Sequence, residues 1–125
     1  MTIDEMHELL NELADEIPAE FYRELSGGIS LIPDVIYSPE ARSGDLLILG
    51  AYHSGGGSGR YITMHYGSLM KVYGHLPREE MKKKLWEILR HEMRHHVEAL
   101  AGNHELEDED AAFMERYRER QEENP

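Results

Sequence analysis

The chain has no cysteine among its 125 residues, which excludes disulfide frameworks and thiolate metal sites together. Basic residues are outnumbered, 13 Lys and Arg against 25 Asp and Glu, for a formal charge of −12. That balance argues against nucleic acid and against an anionic membrane, since neither phosphates nor lipid headgroups meet a basic stripe. It favours a metal cation or a positively charged substrate. No apolar run approaches the ~18 residues of a membrane span. The N-terminus, MTIDEMHELLNELADEI, lacks the basic start and apolar centre of a signal peptide. These absences lead us to expect a cytoplasmic protein. Length and a 40% hydrophobic content suit one globular domain over residues 1–125.

What is present begins with helical periodicity. Ile3, Met6, Leu9, Leu10, Leu13 and Ile17 recur at steps of three and four, which predicts an amphipathic helix over 2–17. Thr2 is placed to cap it and Glu5 to complete a capping box. Pro18 interrupts that helix, and Ala19–Leu25 adds a further turn or two before SGG at 26–28. Short β-prone runs follow at Ile29–Ile32 and Val35–Tyr37. LLILGAYH (46–53) and RYITMHYG (60–67) then flank SGGGSG, which predicts a hairpin, and SLMKVYG (68–74) suggests one more short strand.

A long helix is expected from Pro77 to about Ala101, with Pro77 at its first position and Gly102 beyond its end. Its apolar stripe reads Met81, Leu85, Ile88, Leu89, Met93, Val97 and Leu100, with Trp86 near one edge. DEDAAFMERYRERQ (108–121) reads as a short last helix. The fold class is therefore α+β, with a small mixed or antiparallel sheet of three to four strands between helices.

Within the long helix stands HEMRH, residues 91–95. Histidines four apart project from one helix face, where two neutral imidazoles can meet one tetrahedral ion. Glu92, one step round the helix, can reach a metal-bound water without taking a ligand position. A zinc ion lowers the pKa of such a water towards ~7 and polarises a carbonyl, while the carboxylate accepts the proton. His96 points about 100° away from His95, which suits packing rather than ligation.

The chain as a whole resembles the minimal zincin-like metallopeptidases, short bacterial proteins with HExxH near the C-terminus. The resemblance covers nearly the whole chain. It rests on a first helix ending in EIPAEF, the strand LLILGAYH before a Gly-rich tip, RYITMHYGSLM after it, and LPREEMKKKLWEILRHEMRHH leading into the motif. The HEMRHH form is itself typical of that family. The resemblance implies a zincin-like fold, one zinc ion held by His91 and His95, Glu92 as general base, and a peptide or protein substrate. Such enzymes commonly bind substrate as an added strand on a sheet edge.

Many relatives continue HExxHHxGxxD, with the Asp as third ligand. Here the glycine is Gly102, about one turn later, and Glu105 stands three residues after it. Asp110 is the preferred third ligand, because a returning last helix could aim its first-turn carboxylates at the ion; Glu107 and then Glu105 are the alternatives. His104 is a further candidate. Tyr66, His53, His65 and His75 are the candidates for stabilising an oxyanion. Two rival readings keep the same residues without catalysis: a metal-binding protein with a structural or sensing role, and a helical interaction module whose His–Glu stripe is only surface.

Overall fold

A computed structural model describes residues 1–39, 46–57 and 59–101. The last expected helix (108–121) lies outside the described residues, as do His104, Glu105, Glu107 and Asp110. Among the described residues the architecture is α+β: three helices and a mixed three-stranded sheet.

The first helix, α1 (Ile3–Glu16), has both halves of the predicted capping box. Glu5 N–H donates to Thr2 Oγ1 and Thr2 N–H to Glu5 Oε1, each over 3.1 Å, so two otherwise orphaned donors are satisfied. Its apolar residues Met6, Leu9, Leu10 and Leu13 are buried. Pro18 ends the helix, and a single 3-10 turn, Ala19–Tyr22, follows. The Tyr22 hydroxyl donates back to the Ala14 carbonyl, which closes that turn onto α1.

Strand β1 (Gly28–Ile32) runs parallel to β3 (Gly59–His65), and β2 (Gly50–Gly56) pairs with β3 antiparallel. The order β1-β3-β2 leaves β2 at an edge. The expected hairpin is thus present. Val35–Tyr37 is not a strand: it makes one isolated bridge, Tyr37 to Leu47, plus Ile48 N–H to Ile36 O. Here the backbone bonds partly to a side chain, with Ile36 N–H donating to Ser68 Oγ over 2.8 Å.

The expected strand at 68–74 is instead part of a helix, α2 (Tyr66–Tyr73). Its residues Tyr66, Leu69, Met70 and Tyr73 all pack on the core. Their spacing of three, one and three is helical, and that periodicity outweighs the β-propensity of Val72 and Tyr73. Gly67 permits α2 to start where it does, since a Cβ there would lie 2.7 Å from the Val35 backbone nitrogen. Among the described residues the sheet therefore has three strands, the lower end of the expected range.

The long helix α3 spans Arg78–Ala101. Pro77 precedes it rather than opening it, and the Pro77 carbonyl accepts from Met81 N–H. Met81, Leu85, Leu89 and Met93 are buried every fourth residue, joined by Glu92, His95 and His96. Val97 departs from the expected stripe: it is exposed. The core forms where α1 and α3 lie under one sheet face, around Ile62 and Met64 of β3. Leu10 and Ala14 of α1 line one cavity with Ile29 and Leu31 of β1, whereas α3 packs chiefly on β2. Gly50 allows the closest approach, because a Cβ there would be 2.9 Å from Ile88 Cγ2. Among the described residues, no helix is long and apolar enough to cross a membrane.

Candidate metal centre

One face of α3 brings His91, Glu92 and His95 together. Their ligand atoms all lie within 4.8 Å of one another, and this is the His/Asp/Glu group among the described residues that could hold an ion. The two imidazoles meet edge to face, ring centroids 4.8 Å apart at 88°. His91 is half-buried, while Glu92 and His95 retain 7% and 6% of their exposure. The donor set fits a borderline-soft divalent cation: two neutral nitrogens at i, i+4 spacing with an adjacent carboxylate.

The flank of α3 that carries them follows from the helical rotation. Trp86, Arg90, Met93, Arg94 and Val97 line an apolar groove of about 430 Å³ with Ile17, Pro18 and Phe21. That groove therefore marks the α1 side of α3. His91 and His95 lie roughly 100–150° further round the helix from it, at 100° per residue. With α3 packed chiefly on β2, which is terminal in the sheet of the described residues, their flank lies on the β2 side of α3. Val97 belongs to the groove, which is why it is not core.

His96 is completely buried and turned away from the pair. Its Nε2 lies 2.8 Å from the Arg23 carbonyl and its Nδ1 2.8 Å from the Tyr52 hydroxyl. A carbonyl only accepts, so Nε2 carries the proton and Nδ1 accepts from Tyr52. Both ring nitrogens are thereby committed, and a helix histidine becomes a three-way tie between α3, β2 and the turn after residue 22. Sequence reasoning assigned His96 to packing but did not find Tyr52 or the Arg23 carbonyl. The only sequence signal for Tyr52 was its place in a β-prone run.

Three of the four oxyanion candidates, Tyr66, His53 and His65, have hydrogen-bond partners of their own. Tyr66 donates its hydroxyl to the Met1 carbonyl over 2.6 Å. His75 is exposed in the turn after α2. Gly50 and Tyr52 face α3, so alternation puts His53 on the other face of the sheet, with its stacking partner Tyr61 (centroids 4.4 Å) and with Thr63 and His65. There His65 Nδ1 donates to the Ile48 carbonyl (2.7 Å), leaving Nε2 to accept from Thr63 Oγ1, which in turn accepts from His53 Nε2, both at 2.9 Å. Burial lowers the pKa of His53, and the neighbouring His65 lowers it further.

Fold and motif together define an α+β protein with an HExxH helix beneath an edge strand. No family model and no curated protein matches the chain. Among solved structures it is similar to a conserved hypothetical protein from a strain of Thermus thermophilus, at 32% identity and a TM-score of 0.71. The match covers 81% of this chain and 98% of that one, and the chain belongs to the same family as that protein.

Proposed function

We propose that this protein is a zinc-dependent metallohydrolase of the zincin type, acting as a peptidase. The observation that carries the reading is the clustering of His91, Glu92 and His95 within 4.8 Å on one flank of α3. The motif resemblance to minimal zincin-like metallopeptidases supports it.

In this reading His91 and His95 hold the ion. Bound there, zinc supplies an acidified water and a Lewis acid for a carbonyl. Glu92, nearly buried beside the two imidazoles, would take a proton from the attacking water and pass it to the leaving amine. β2, at the sheet edge among the described residues, would give an extended peptide a strand to lie against beside the metal flank. Asp110 is proposed as the third ligand, before Glu107 and Glu105.

The test uses protein purified without a His-tag. Metal analysis should find about one zinc per chain, and Glu92→Gln should keep the metal while losing hydrolysis of a peptide library. Zinc bound by a wild-type protein that cleaves nothing would instead favour the structural or sensing role. No zinc and no thermal shift on adding it would leave only the interaction module.

A further inference from the structure

We propose that Tyr52 and His96 are positioning residues that set the rotation of α3 and so the place of the metal flank against the edge strand. This rests on the proposed metal centre.

The spacing of His91 and His95 is intrinsic to the helix, so nothing outside α3 is needed to keep them one turn apart. Where their common ion stands relative to β2 is a different matter. It depends on how α3 is rotated and slid beneath the sheet. A rotation of about 10° moves atoms ~8 Å from the helix axis by roughly 1.4 Å. A misplacement of ~1 Å can cost a reaction about 100-fold.

The contacts that hold α3 to the sheet are mostly apolar and do not specify direction. Leu85, Leu89 and Met93 pack as a stripe, and Met93 is the adaptable kind of filler. At Ile88 the strand presents Gly50, with no side chain to key against. His96 is different. Its ring is held at both nitrogens, by Tyr52 of β2 on one side and the Arg23 carbonyl on the other, at 2.8 Å each. Two directional bonds on opposite sides of one fully buried ring resist rotation in either sense. The residue so held is the immediate neighbour of His95, and the strand that holds it is the one proposed to carry substrate. The tie thus joins the two halves of the site.

The absence of cysteine makes a direct test simple. Ser54, exposed on β2, is replaced by cysteine and carries a nitroxide. Cu(II), which two imidazoles one helical turn apart will hold, is loaded on His91 and His95. Electron–electron dipolar spectroscopy then reads the copper–nitroxide distance. The tied protein should give one narrow distance. Tyr52→Phe, which removes only a hydroxyl, should broaden it or move it by more than about 1 Å, with copper affinity unchanged because the i, i+4 pair is intact. His96→Asn is the second arm: its amide oxygen can stand in for Nδ1 as acceptor for Tyr52, but the side chain is too short to place a donor where Nε2 meets the Arg23 carbonyl, and the same change is expected. A purely structural role would lower the thermal midpoint and leave the distance alone. Unchanged distances in both folded variants overturn the proposal. Copper uptake that does not depend on His91 and His95 removes it together with the metal centre. A shifted distance in a protein that hydrolyses nothing upholds the positioning role while sinking the peptidase reading.

Discussion

The Tyr52 hydroxyl of the edge strand donates to Nδ1 of His96 over 2.8 Å, one residue along α3 from His95. The sheet is therefore tied to the HExxH helix by a hydrogen bond at the motif itself, not only by the apolar stripe below it.

The first prediction concerns the ligands. His91→Ala or His95→Ala should weaken zinc binding by about 100-fold or more, read by chelator competition, because each removes one of two imidazoles from a site that cannot be rebuilt on the same helix face. Among Asp110→Asn, Glu107→Gln and Glu105→Gln, the largest loss is expected for Asp110→Asn. Equal affinity in all three would count against any of these acids as third ligand.

Gly50→Ala should destabilise the fold by roughly 1–3 kcal/mol. Its new Cβ would lie 2.9 Å from Ile88 Cγ2 and 3.2 Å from Met64 Sδ. Met64 can yield, but Ile88 is β-branched and stiff, so α3 must retreat from β2. Urea unfolding measures the loss, and a wild-type midpoint would show that the helix–strand approach has slack.

Leu89→Ala should cost more, about 2–5 kcal/mol. Leu89 is fully buried between two other buried stripe residues, Leu85 and Met93, and the helix cannot collapse into the space left behind. Unfolding of the variant in urea with an unchanged slope would attribute the whole shift to stability.

His53 makes stability pH-dependent. Burial, then His65, holds its folded pKa below the unfolded value of ~6.5. On acidification the unfolded chain therefore takes up the proton first. The contribution is fully present above the unfolded pKa and is lost as pH falls through the folded one. His53→Asn should flatten the fall in urea midpoint between neutral and mildly acidic pH relative to the native chain. An identical slope in the variant would assign the loss to other groups.

Much of this was legible locally. The capping box at Thr2 and Glu5, the break at Pro18, the hairpin around SGGGSG and the span of α3 each depend on neighbours within a few residues, and all are present. α2 is a helix although its Val72 and Tyr73 are β-prone and suggest a strand, because Tyr66, Leu69, Met70 and Tyr73 repeat at helical spacing.

By itself the sequence determined the helix on which His91, Glu92 and His95 lie and their mutual spacing, since the i, i+4 geometry is a property of any α-helix. Only the tertiary structure decided which flank of α3 faces the groove and which the edge of β2, that Val97 is exposed, and that His96 is held by Tyr52 and the Arg23 carbonyl. Those facts join residues 44 and 73 positions apart. Helical periodicity fixes angles about one axis, whereas the rotation of that axis against a sheet is set by partners that no local pattern names.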